Sequence, residues 1–160
     1  MHIRHATDSD VYAIAVVHVA SWDAAKEGLD LPSRRTTEER RERWAAYLAA
    51  GEGTLQVADD GRILGFIAYG PSRDDDRRGE MEVYTLYVAP GTWSRGIGSA
   101  LMEAVPSDTT VSLWVAERND RARAFYARHG FLPDGAQEAG HHVPVIRLAR
   151  TSGSGPAQSS

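Results

Sequence analysis

Apolar and polar positions along this chain change period several times, and each change predicts an element. His2 to His5 alternates as a short strand. Val11, Ile14, Ala15, His18 and Trp22 then recur at helical spacing. Thr7, with Asp10 three residues on, stands before them in the relation of a capping box. Gly28 to Pro32 breaks the pattern. Thr36 with Glu39 opens a second helix that carries Trp44, Tyr47 and Leu48 and stops near Gly51.

The period then shortens to two. Thr54 to Ala58 and Ile63 to Tyr69 read as strands joined by the hairpin signal Asp59-Asp60-Gly61, with Gly65 inside the second strand. Pro71 to Gly79 is a charged loop. Glu80 to Ala89 is a long strand stopped by Pro90. A helix follows from about Gly98 to Val105, a turn at Pro106-Ser107-Asp108, and a strand from Val111 to Val115. Asn119 is a good N-cap for a helix that buries Ala122, Phe125 and Tyr126 and ends at Gly130, with Phe131 behind it. Val143 to Leu148 is the last strand, with a partner near Gln137 to Ala139. This order predicts an α/β fold with a mixed sheet and helices on both faces. Residues 1–150 form one domain, and the Ser/Gly-rich segment Thr151 to Ser160 is a flexible tail.

The stretch richest in chemistry runs from Val83 to Met102. An apolar strand leads into the turn Trp93-Ser94-Arg95-Gly96-Ile97-Gly98, and a helix begins as the turn ends. Such a turn gathers backbone N–H groups and the positive end of a helix dipole around one small volume, a natural phosphate or diphosphate site. A side chain at Gly96 or Gly98 would block close approach of a ligand to the backbone.

Composition narrows the classes. The 160 residues are 42% apolar and carry a formal net charge of -4. A mildly acidic chain argues against nucleic acid as the main partner. No apolar run approaches the ~20 residues that span a bilayer, and Met-His-Ile-Arg-His-Ala lacks the layout of a signal peptide. A cytoplasmic location is expected, with no membrane partner. The chain has no cysteine, which excludes an acyl-cysteine route and thiolate metal sites.

With these residues in view, the chain resembles the GNAT acyltransferase superfamily over about residues 2 to 149. Trp93 to Gly98 is similar to that family's (Arg/Gln)-x-x-Gly-x-(Gly/Ala) turn. Leu86-Tyr87-Val88-Ala89-Pro90 precedes it where the family strand ends. Asn119 to Tyr126 is similar to Asn-x-x-Ala-x-x-(Phe/Leu)-Tyr, and Gly130-Phe131 follows as the usual closure. The resemblance implies a mostly antiparallel sheet and acetyl-CoA as cofactor. It places coenzyme A against Leu86, Tyr87 and Val88 of the strand, against Ser94, Arg95, Gly96, Ile97, Gly98 and Ser99 of the turn, and against Asn119. Trp93 departs from the family's Gln or Arg. The backbone donor survives that change while the side-chain contact is lost, with Arg95 or Arg121 in reach to compensate.

The expected chemistry is direct transfer of an acetyl group to an amine. Two neighbouring strands, ending near Val88 and Val115, are expected to splay and admit the pantetheine arm. The amides of Leu86 and Val88 would then face the thioester carbonyl as preorganised donors. An amine attacks only when neutral, so a base is useful. Glu82 shares a strand face with Leu86 and reads either as base or ammonium anchor, or as an exposed strand carboxylate. Tyr126 is carried over as general acid for the leaving thiolate; the alternative is a core aromatic. Tyr84, between Glu82 and Leu86, and Trp22 are candidate walls of the acceptor pocket. His18 reads as a satisfied core residue. His141-His142 has no carboxylate cluster beside it, so no metal is expected. Asp74-Asp75-Asp76-Arg77-Arg78 reads most simply as a solvated loop, the alternative being a place near the acceptor entrance. The acceptor is a small-molecule or peptide amine, with protein lysines also open, chosen by the segment Trp22 to Thr37, and Gln137 to Leu148 is a possible homodimer contact. A second function class stays open: a non-catalytic acyl-CoA-binding sensor of the same fold. A dinucleotide-binding Rossmann domain is disfavoured, because its glycines belong in the first βα turn.

Overall fold

A computed structural model describes residues 1–26, 35–93, 95–140 and 143–153 of the chain. The strands are β1 (His2–His5), β2 (Thr54–Asp59), β3 (Ile63–Pro71), β4 (Met81–Val88), β5 (Val111–Ala116), β6 (Leu132–Glu138) and β7 (Val145–Arg150). The helices are α1 (Val11–Lys26), α2 (Thr37–Ala50), α3 (Ile97–Glu103) and α4 (Asp120–Arg128). The strands form one seven-stranded sheet in the order β1-β2-β3-β4-β5-β7-β6. The β1–β2, β2–β3, β5–β7 and β6–β7 pairs are antiparallel and β4–β5 is parallel, so the sheet is mixed and mostly antiparallel. The chain divides into two compact units, Met1–Tyr69 with Thr85–Val105, and Gly70–Tyr84 with Pro106–Ser160.

In the first unit, local chemistry starts α1 and α2 as expected. The Asp10 carboxylate accepts from the Thr7 N–H at 2.8 Å and holds the Arg4 guanidinium at 2.8 and 2.9 Å, fixing a 3-10 turn ahead of α1. Thr36 Oγ1 accepts from the Glu39 N–H at 3.1 Å, and Gly51 ends α2 in the left-handed region at φ 65°. Helices lie on both faces of β3. Phe66 packs on Trp44 of α2 and His18 of α1, at centroid distances of 5.2 and 5.8 Å. The next residue back, Gly65, points the opposite way, toward Leu101 of α3. A Cβ at Gly65 would sit 2.8 Å from the Tyr87 carbonyl oxygen, so the bare glycine lets β4 and α3 close on β3.

In the second unit, β7 spans Val145–Arg150 and not the expected Val143 to Leu148, and it pairs with β5 from Val111↔Arg150 to Ala116↔Val145. Its other partner starts five residues earlier than expected, at Leu132. Pro133 and Gly135 mask that strand in the sequence, and its register shifts between Pro133 and Gln137. Asn119 caps α4 by accepting from the Ala122 N–H at 3.1 Å. The helix closes with Gly130 N–H on the Ala127 carbonyl and Phe131 N–H on that of Tyr126, a Schellman pair with Gly130 at φ 88°. Phe131 is fully buried, but Ala122, Phe125 and Tyr126 are half-buried and not the buried face expected.

Candidate functional site

The glycine turn lies in the first unit. Ser94 falls outside the described residues. Gly96 is the N-cap of α3 at φ 79°, and a Cβ there would meet nothing within 4 Å. The glycine is needed for the left-handed backbone, and the space over it is open. The Ala100 N–H bonds the Gly96 carbonyl at 3.0 Å, so the N–H groups of Ile97, Gly98 and Ser99 come before that first helical bond. Ile97 is buried and anchors the turn, Gly98 and Ser99 are half-buried, and Arg95 is exposed. A left-handed cap, open space above it and an exposed arginine beside it fit a diphosphate group.

The end of β4 adjoins this turn in sequence. The Ala89 N–H bonds the Leu64 carbonyl of β3 at 2.8 Å. The Tyr87 carbonyl oxygen also lies against Gly65 of β3, and backbone groups alternate along this end of the strand, so the N–H groups of Val88 and Leu86 face the edge away from β3. The Val88 carbonyl takes two donors, Ser21 Oγ at 3.2 Å and Trp93 Nε1 at 3.0 Å. Trp93 is 40% exposed, its indole tied down at the mouth of the turn.

The Tyr87 ring turns the other way, onto His18 at 4.8 Å and Phe66 at 5.8 Å, so this residue offers the edge no side chain. His18 also lies 2.7 Å from Arg40 Nη1 and accepts from Trp44 Nε1 at 3.2 Å. Burial first, and then the Arg40 charge, pull His18 down to about 3, and burial pulls Arg40 down too. This is a packed core histidine. Trp22 stands one turn further along α1, half-buried, with its indole N–H buried and unpartnered among the described residues. Much of the segment expected to choose the acceptor, residues 27–34, lies outside the described residues, as do His141 and His142.

Glu82 is in the second unit, on the first half of β4, in register with Ser112 of the parallel strand. It is 2% exposed, which removes its reading as an exposed strand carboxylate. The Arg73 N–H donates to Oε1 at 2.9 Å, and the Arg73 guanidinium donates to Oε2 at 2.9 Å. Glu82 in turn raises the Arg73 guanidinium against the effect of burial. The guanidinium also lies 4.4 Å from the centre of the Tyr84 ring, and the Tyr84 hydroxyl donates to the Pro71 carbonyl. The β4–β5 ladder consists of Met81↔Val111 and Glu82↔Ser112 and is not continued to Tyr84 and Trp114. Tyr126 is half-buried between Phe125 and Phe131, at 5.3 and 6.0 Å, and Asn119 is exposed with its oxygen engaged at the cap.

The charged loop is solvated only in part: Asp75 and Arg78 are exposed, while Asp74 and Arg77 are drawn into a hub. Asp74 accepts from Trp114 Nε1 at 2.9 Å. Arg147, with 7% of its side chain exposed, reaches Asp74, Asp76 and Asp134 at 3.2, 2.6 and 2.6 Å. Arg77 joins Glu80 to Asp134. Sequence reading missed Arg73, Arg40 and Arg147, because arginine is frequent in this chain and no local pattern marks the three that are structural. The run of three aspartates was the one available signal for a buried cation.

Among the described residues, no three His, Cys, Asp or Glu side chains are grouped to hold a metal ion, and no helix is long and apolar enough to cross a membrane. The profile of the acetyltransferase (GNAT) family matches residues 20–131. An uncharacterized N-acetyltransferase of Mycobacterium tuberculosis is 33% identical over 132 residues, covering 78% of this chain and 74% of that relative. Two solved structures share the fold. An acetyltransferase from Salmonella typhimurium, solved with acetyl-CoA, superposes with a TM-score of 0.72 at 19% identity, over 100% of this chain and 98% of that one. An N-acetyltransferase from Thermoplasma acidophilum in complex with coenzyme A gives 0.71 at 16% identity, over 94% of this chain and 98% of that one.

Proposed function

Because the chain belongs to the acetyltransferase (GNAT) family, we propose that it moves an acetyl group from acetyl-CoA directly onto an amine. The family uses acetyl-CoA as its acyl donor, a thioester already activated for attack. The backbone of the Gly96 turn, from Arg95 to Ser99, would hold the diphosphate, with Arg95 adding a charge. Trp93 contributes an apolar wall where the family has a polar side chain. The Leu86 and Val88 N–H groups, aimed off the edge of β4, stabilise negative charge that develops on an acyl oxygen. Asn119 adds a polar contact at the start of α4. Glu82 and Tyr84 receive the acceptor ammonium, and Glu82 takes its proton directly or through water. Tyr126 Oη holds the proton given to the leaving sulfur. No cysteine is present to form an acyl-enzyme.

The observation that carries this reading is the pairing of a left-handed glycine cap with a strand edge whose Leu86 and Val88 amides face away from β3. The test is coenzyme A release from acetyl-CoA with a panel of spermidine, tyramine, glutamate and an alanine-terminated peptide. At least one amine should turn over. Tyr126→Phe should lower kcat about 100-fold, the scale of general-acid assistance, while acetyl-CoA still raises Tm as ligand linkage requires. Tight acetyl-CoA binding without turnover of any amine would support the sensor instead.

A further inference from the structure

Arg73 is the unusual element of the acceptor region. A carboxylate beside an aromatic face is the chemistry that recognises an organic cation, and Glu82 with Tyr84 makes that combination. Here the combination already holds a cation. The Arg73 guanidinium donates to Glu82 Oε2 at 2.9 Å and stands 4.4 Å from the centre of the Tyr84 ring. Glu82 is 2% exposed while 67% of the Arg73 side chain is exposed, so the guanidinium covers a buried carboxylate from the solvent side.

We propose that Arg73 is a built-in stand-in for the acceptor's ammonium, a gate that the amine displaces to reach Glu82. The inference rests on the reading that Glu82 and Tyr84 receive the amine.

Three features make the exchange physically easy. Glu82 does not depend on the side chain alone, because the Arg73 backbone N–H donates to Oε1 at 2.9 Å and stays when the guanidinium leaves. The guanidinium leaves into water, so it loses little solvation. The loop need not move with it. Ser72 N–H is bonded to the Glu80 carbonyl at 2.9 Å, and Asp74 is held by Trp114 and Arg147 on the other side of Arg73. The exchange replaces one cation by another, so the buried carboxylate is never left uncompensated. A neutral molecule cannot make this exchange, and the gate therefore selects for cationic acceptors.

The test compares wild type with Arg73→Ala and Arg73→Gln, using the panel amine that turns over fastest. With the competitor gone, KM for the amine should fall at least fivefold while kcat stays within about twofold. Methylguanidinium should inhibit Arg73→Ala competitively against the amine and not against acetyl-CoA, by refilling the vacated place. An unchanged or higher KM, or equal losses in kcat and kcat/KM, would overturn the gate and leave Arg73 as a positioning residue for Glu82. A measurement on wild type covers the case in which neither variant folds. Phenylglyoxal labelling of Arg73, read by peptide mass spectrometry, should accelerate as propylammonium is titrated in; no change or slower labelling overturns the proposal. That arm needs no turnover. A chain that acetylates nothing in the panel therefore fails as an acetyltransferase without deciding the gate.

Discussion

At His18, packing and charge push in one direction. The ring is enclosed by Phe66, Trp44 and Tyr87, and the Arg40 guanidinium lies against its nitrogens. Its folded pKa, about 3, is below the ordinary 6.5. Between those values the unfolded chain takes up a proton that the native state refuses. The stabilisation is therefore complete above pH 6.5 and declines as pH falls toward 3, at up to about 1.4 kcal/mol per pH unit. Urea melts at pH 7 and pH 5 should show that decline, and His18→Gln should flatten it even though it lowers stability at both. At this scale the sequence was legible where the requirement is local. Gly96 and Asn119 sit beside the elements they cap, and their residue types declare it. Glu82 and Arg73 are nine residues apart across a loop, and nothing in either residue announces the other.

Among the elements, β4 is closely constrained by its neighbour β3 at Gly65. Gly65→Ala would put a methyl group 2.8 Å from the Tyr87 carbonyl oxygen and 3.2 Å from Leu101 Cδ1. The backbone on one side cannot yield as a side chain can. The variant should lose about 2 kcal/mol, seen as a lower Tm, and should bind acetyl-CoA more weakly because the displaced residues adjoin Val88. A Gly65→Ala protein with unchanged Tm would mean that β3 and β4 can separate at little cost. The helices and central strands were readable because caps, turns and periodicity all agree along them. The Leu132–Glu138 strand was not. Its proline and glycine contradict strand propensity, and pairing with β7 overrides them.

Across the whole molecule, the sheet order owes most to contacts distant in sequence. The last strand, β7, lies between β5 and β6, and Arg147 on it gathers Asp74 and Asp76 from one loop and Asp134 from β6. No period or motif in the chain foretells that convergence. Arg147→Met removes the shared cation while leaving the apolar part of the side chain. Asp74 and Asp134, both largely shielded from solvent, then lose that cation while the exposed Asp76 returns to water, and a loss of about 3 kcal/mol is expected, read from the urea midpoint. The loop that carries Arg73 should loosen with it, so amine KM should change more than acetyl-CoA Kd. Equal changes in the two would show that the hub supports folding alone.

One consequence of β4 concerns what evolution can do to it. Glu82, Tyr84, Leu86 and Val88 all lie on a single strand. Substitutions along it can be weighed one at a time. The Met81 N–H goes to the Thr110 carbonyl beside β5 while the Ala89 N–H, eight residues on, goes to the Leu64 carbonyl of β3, so the alternation of edges is already shifted once between them, and one further residue inserted or deleted between Tyr84 and Leu86 would send the Leu86 and Val88 amides to the other edge. The strand behaves like a reading frame, tolerant of altered letters and intolerant of a shift by one.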